Sequence, residues 1–165
     1  MSHPRIPLQQ LAPTQYRAMV AFDRSIDLDP VLRELLKVRA SQINGCAFCI
    51  DMHWKDARSA GESEERLYSL SAWRHSPLYD ARERAALDLC EAISLIAAND
   101  VPDDVWDRTS EVFSPEEQAQ LILAITAINA WNRIASATRA EPGKYQPAAE
   151  RRAVPNNGEP HPDSP

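Results

Sequence analysis

Glycine is scarce in this chain, at 4 of 165 residues, and cysteine scarcer still, at 3. With so few glycines and no segment that alternates apolar and polar residues, nothing reads as a half-buried strand. An odd number of cysteines argues against a secreted disulfide framework. Excess positive charge is missing too: 18 Lys and Arg face 24 Asp and Glu, for a net charge of −6. An acidic chain with scattered arginines is a poor binder of nucleic acid or anionic membrane. Residues 1–13 hold isolated apolar residues but no apolar core of a signal peptide. The longest apolar stretch, 121–128, is broken by Thr126 and is far too short to span a bilayer. No internal repeat is visible. The expectation is a cytoplasmic, all-helical protein, large enough to bury a real core.

Helix punctuation supports that reading. Residues 4–13 read as an extended leader. Residues 15–26 carry Tyr16, Met19 and Val20 at helical spacing. Asp29-Pro30 opens a second helix, with a capping aspartate and a first-turn proline. That helix runs through Leu32, Leu35, Leu36 and Val38 to the stop signal Asn44-Gly45. A helix over about 46–60 follows and ends at Gly61. Ser63 caps one carrying Leu67, Leu70 and Trp73, which ends before Pro77. Asp80 with Glu83 resembles a capping box for a helix through Leu87, Cys90, Ile93 and Ile96. A short helix with Val105, Trp106 and Val112 follows Val101-Pro102. Ser114-Pro115-Glu116-Glu117 combines cap, helix-start proline and capping glutamate, and opens a helix through Leu121, Ile125, Ile128 and Trp131 to about Thr138. Residues 142–165 are rich in Pro, Glu, Asn and Arg and read as a disordered or loosely docked tail.

Two of the three cysteines lie in one motif, Cys46-Ala47-Phe48-Cys49, with His53 four residues on and Glu34 twelve residues before Cys46. On a helix at about 100° per residue, Cys49 projects roughly 60° from Cys46, with His53 between them. One face then carries two thiols and a proton carrier, as reversible thiol–disulfide chemistry requires. Cys46 in the first turn would have its thiolate favoured by unpaired N–H groups and the helix dipole. His53 is placed to act on Cys49 as base or as imidazolium. The second thiol can resolve a sulfenic acid into a disulfide.

Other readings use the same residues. Zinc could take Cys46, Cys49 and His53 with Glu34 as fourth ligand, though no second CxxC or HxxxH supports it. Inert cysteines on an apolar face are another, but leave the shared stripe with His53 unexplained. A thioredoxin-type domain needs its CxxC after a strand, and here it follows a helix. Spacing alone reads Glu34, between Arg33 and Lys37, as a solvated carboxylate. His3, His75 and His161 read as solvated, and Cys90, Trp73 and Trp131 as core or interface.

The run from Glu34-Leu35-Leu36-Lys37 through Asn44-Gly45 to Cys46-Ala47-Phe48-Cys49-Ile50-Asp51-Met52-His53 resembles the signature of the AhpD-like alkylhydroperoxidases, within the carboxymuconolactone decarboxylase superfamily. The segment Ala127-Ile128-Asn129-Ala130-Trp131-Asn132-Arg133 is similar to the family's C-terminal helix, and the resemblance covers about residues 4–140. It implies an AhpD-like helical domain over 1–141, with the CxxC at the N-terminal end of a central helix in a partly buried pocket, and assembly into trimers or hexamers. It implies reduction of organic hydroperoxides by Cys46 and Cys49 through sulfenate and disulfide. Glu34 would then serve as the acidic proton-relay residue beside His53, reversing the spacing-only reading. No metal, haem or flavin is implied; electrons would come from an external dithiol, lipoyl or thioredoxin-like. The family's namesake has a second histidine just before the second cysteine, where this chain has Phe48, so the site is more apolar and suited to bulky hydroperoxides. The expected order is attack by Cys49, resolution by a more exposed Cys46, and reduction at Cys46. The competing functions are a thiol redox sensor or binding module and a decarboxylase-like activity, against which the retained CxxC counts.

Overall fold

The computed structural model describes residues 4–147. Within them the chain is helical, without strands: α1 (Leu8–Leu11), α2 (Pro13–Ser25), α3 (Pro30–Ile43), α4 (Ala47–Ser59), α5 (Glu64–Ser69) continuing into a 3₁₀ turn (Leu70–His75), α6 (Ala81–Ser94), α7 (Ile96–Asn99), α8 (Asp103–Val112) and α9 (Pro115–Thr138). None of these helices is long and apolar enough to cross a membrane.

The caps follow the local sequence. Asp29 accepts a hydrogen bond from the Leu32 amide at 2.9 Å, with Pro30 in the first turn. Capping boxes close the starts of α6 (Asp80, Glu83) and α9 (Ser114, Glu117). Three boundaries differ from expectation. Residues 4–13 are not wholly extended, because α1 forms a single turn there, and the Arg5 amide donates to the Thr138 carbonyl at 2.9 Å. Leu70 and Trp73 lie in the 3₁₀ turn rather than in α5 itself. The helix carrying Cys90 stops at Ser94, since Leu95 departs from helical geometry and Ile96 starts α7.

The helix α3 sits at the centre, packed against α4, α6 and α9. Leu35, Leu36, Leu87, Leu89, Leu121, Ile125 and Ile128 meet in the core and are wholly buried. Its enclosure has a consequence for its polar residues: Glu34, Lys37 and Ser41 are buried as well. Lys37 Nζ reaches Asp23 of α2 at 3.0 Å, a pairing that a buried ammonium requires. Cys90 is fully enclosed, and burial pushes its thiol up to about 12, so it is an inert core residue. Trp73 is buried and Trp131 half-buried. His75 is exposed, while His3 and His161 lie outside the described residues.

The corner between α3 and α4 is held by α9. Asn44 Nδ2 donates to Asn129 Oδ1 and to Asn132 Oδ1, each at 2.9 Å. Asn132 Nδ2 donates to Ser41 Oγ at 3.0 Å, and Asn129 Nδ2 to Ser94 Oγ at 3.0 Å. Gly45 turns the chain with φ +64°, a left-handed conformation that favours glycine. This polar clamp fixes where α4 begins, and with it the cysteines. Residues 142–147, the start of the sequence-predicted tail, lie back along α4, where Gly143 N donates to Asp51 Oδ2 at 2.9 Å and Lys55 Nζ to the Tyr145 carbonyl at 3.0 Å. The rest of the predicted tail, 148–165, lies outside the described residues.

Candidate active site

Cys46 is the N-cap of α4 rather than its first helical residue, and its sulfur accepts from the Cys49 amide at 3.3 Å. The spacing brings the two Cα atoms to 5.3 Å, and the sulfurs are joined as a disulfide. Both cysteines are 3% exposed. The expected greater exposure of Cys46 is therefore not found: Phe48, Ala135 and Ala140 cover both residues. What separates them is the hollow that each one lines.

Cys49 lines a cavity of about 500 Å³ together with His53, Phe48 and Met52 of α4, Tyr16, Val20 and Asp23 of α2, and Trp131 and Ile134 of α9. Tyr16 and Trp131 meet edge to face, with ring centroids 5.4 Å apart. Pro7 and Leu8 close one side, so the turn of helix missed in the leader is part of the wall. Cys46 instead lines a more open hollow with Gly45, Ala47, Ser136, Arg139 and Pro142. Phe48 and Ala135 border both.

His53 is buried on the same face of α4 as Cys49, and its Nδ1 lies 2.9 Å from Glu34 Oε2. Burial pushes the Glu34 carboxyl up, but the hydrogen bond and charge of His53, with Lys37 and Arg33, outweigh it and hold the group below its ordinary value. Glu34 is thus an ionised acceptor at neutral pH, and an ionised carboxylate cannot donate. The hydrogen between them therefore sits on Nδ1, which leaves Nε2 as the ring nitrogen that Glu34 does not engage. Glu34 is not the solvated carboxylate that spacing alone suggested; the reason is the enclosure of α3.

One neighbour escaped the sequence reading. Asp56 lies three residues after His53, and Glu34, His53 and Asp56 offer atoms within 4.8 Å of one another. Asp56 Oδ1 accepts from the Tyr145 hydroxyl at 2.7 Å. Burial pushes the Asp56 carboxyl up, the Tyr145 bond opposes this, and the Glu34 charge adds to the rise, leaving it above its ordinary value. The i+3 spacing from His53 was the available signal. Glu34 is hydrogen-bonded to His53 and Asp56 to Tyr145, so the two bonded pairs stand side by side.

The sequence profile of the carboxymuconolactone decarboxylase family matches residues 11–92. The chain is 43% identical over 136 residues to YdfG of Bacillus subtilis (strain 168), covering 81% of this chain and 92% of that protein. Among solved structures it resembles ATU0492 from Agrobacterium tumefaciens, a protein of unknown function proposed to be the antioxidant-defence protein AhpD. That likeness has a TM-score of 0.83 and 40% identity, over 87% of this chain and 100% of that one. The debrominase Bmp8 shares the fold at a TM-score of 0.74 and 19% identity, over 87% of this chain and 77% of its own. The central helix enclosed by its neighbours, the CxxC at the start of α4, and these likenesses lead to one conclusion: the chain belongs to the AhpD-like group of the carboxymuconolactone decarboxylase family.

Proposed function

We propose that this protein is a thiol-dependent peroxidase that reduces organic hydroperoxides at Cys49 and Cys46. The observation that carries the reading is the placing of Cys49. It is within bonding distance of a second cysteine, and it lines an apolar cavity beside a histidine oriented by a buried carboxylate. Family membership supports a peroxidase-related role or one like that of the decarboxylases, and the paired thiols favour the first.

In the reduced protein, the Cys49 thiol gives its proton to Nε2 of His53. The thiolate attacks the terminal oxygen of the hydroperoxide, the O–O bond breaks, and the alkoxide leaves as alcohol with the proton from His53. Cys49 is now a sulfenic acid. The Cys46 sulfur attacks it, the S–S bond forms, and hydroxide leaves as water with the Cys46 proton. An external dithiol, lipoyl or thioredoxin-like, then reduces the bridge by attack at Cys46 and is itself oxidised. Glu34 stabilises the imidazolium while it holds the proton. The more open hollow beside Cys46 suits that second reaction, and the largely apolar cavity beside Cys49 suits the first. The protein acts in the cytoplasm as a homo-oligomer, trimer or hexamer, packed through apolar surface such as Leu95, Ile96 and Leu123, which are exposed on this protomer.

The test is to reduce the protein, remove the reductant, add a stoichiometric organic hydroperoxide and count thiols. Rapid loss of two thiols with a Cys46–Cys49 bridge is expected. Thiols that stay reduced would exclude the peroxidase. Disulfide formation without sustained turnover under any dithiol would point to a redox sensor. A lactone-decarboxylating activity that survives loss of both thiols would point to the other branch of the family.

A further inference from the structure

Asp56 has no part in the reaction written above, yet it stands beside the groups that do. Two carboxylates, Glu34 of α3 and Asp56 of α4, each place an oxygen within 4.8 Å of a nitrogen of the same imidazole. Asp56 differs from Glu34 in having a tether outside the helix core, the Tyr145 hydroxyl at 2.7 Å. Asp51 and Lys55 already hold the returning segment along α4, so anchoring alone does not call for a bond to the carboxylate nearest the buried pair.

We propose that Asp56 is a positioning residue of the thiol site, acting through His53, and that the segment 142–147 sets its charge through Tyr145. The inference rests on the peroxidase reading for its purpose but not for its test. When Cys49 yields its proton to His53, positive charge develops on the ring. A carboxylate a few ångströms away favours that charge, and through it the thiolate. The other charged groups near this pair are Arg33 and Lys37 of α3, with Asp23 and Arg24 of α2 on the wall of the cavity that Cys49 and His53 share. Lys37 is matched by Asp23 of α2 at 3.0 Å, and Arg33 lies 3.7 Å from the other oxygen of Glu34. Glu34 thus shares its charge with two cations as well as the ring, and Asp56 supplies the second negative charge. Burial and Glu34 both work against an ionised Asp56, and the Tyr145 hydrogen bond works for it. Losing the phenol hydroxyl would leave Asp56 neutral up to a higher pH.

The experiment follows alkylation of Cys49 by iodoacetamide in the reduced protein across a pH series, resolved by mass spectrometry. Asp56→Asn is expected to raise the pH midpoint by about one unit. Tyr145→Phe should raise it by less, and the double variant by no more than Asp56→Asn alone. Asp56→Glu, which keeps the charge, should return the midpoint towards the wild-type value. An unchanged or lowered midpoint in a folded Asp56→Asn protein would overturn the proposal and leave Asp56 as an anchor for the returning segment. Should Asp56→Asn not fold, Tyr145→Phe carries the test by itself, and an unmoved midpoint there overturns it equally. Alkylation needs no peroxide. A wild-type protein that ignores hydroperoxides but shows these shifts would end the peroxidase reading and leave this one standing.

Discussion

His53 and Glu34 are nineteen residues apart in the chain, yet Nδ1 of one lies 2.9 Å from Oε2 of the other, and both are buried. The contact joins α3 to α4, orients the ring beside Cys49 and keeps a negative charge next to it. It ties the two helices together beside the cavity that Cys49 and His53 line.

Replacing Glu34 by Gln keeps the size of the side chain and removes the charge. The rate of thiol loss on adding hydroperoxide should fall about 10-fold to 100-fold, while the circular dichroism spectrum stays native. Stability should fall by about 2 kcal/mol, the scale for a hydrogen bond to a charged group, as read by urea melts. An unchanged oxidation rate would remove Glu34 from the relay.

The same carboxylate predicts the acid response of the fold. The folded state holds Glu34 below its ordinary value of 4.5, so the unfolded chain takes up this proton more readily. The stabilisation is therefore fully present above about pH 4.5 and is lost as the pH falls through the folded value. Asp56 has the opposite sign, since its carboxyl is raised above 3.8 and neutralising it favours the folded state. Melts of wild type against Glu34→Gln across this range should converge on acidification; a constant gap would contradict the assignment.

The two sulfurs should differ in role. In Cys46→Ser, hydroperoxide should leave a sulfenic acid on Cys49 that dimedone traps. In Cys49→Ser, no comparable adduct should form at Cys46, which lines the other hollow. An adduct only on Cys46 would reverse the order of attack.

Trp131 forms part of the cavity wall and packs edge to face on Tyr16. Trp131→Ala should weaken selection for a bulky apolar hydroperoxide over hydrogen peroxide by about 10-fold or more in kcat/KM, given about 1.5 to 3 kcal/mol for burial of a large apolar group. Equal losses for both substrates would mean that the ring supports the fold and not the choice of substrate.

Local signals carried most of the helix plan. The proline after Asp29, the cap at Ser63 and the two capping boxes act through hydrogen bonds within one turn, so each could be read from a few adjacent letters. The same locality explains the misses. Nothing in residues 4–13 shows that the returning end of α9 holds the Arg5 amide there. The periodicity of Ile93 and Ile96 continues past the point where the backbone leaves the helix at Leu95. Asp56 went unnoticed although its place one turn after His53 was in view. Its importance depends on Glu34 and Tyr145, which come near it from 22 and 89 residues away in the chain.

By itself the sequence determined an all-helical chain, the CxxC at the head of one helix, the thiols and His53 on one face, and the family signature. Each depends on backbone geometry repeating every few residues. Tertiary structure decided that α3 is enclosed, so that Glu34 and Lys37 are buried and must find partners. It decided that Cys49 and Cys46 line different hollows and that Tyr145 reaches Asp56. Burial and charge at a site are set by whatever packs across from it, and side chains distant in sequence meet only once the helices have docked.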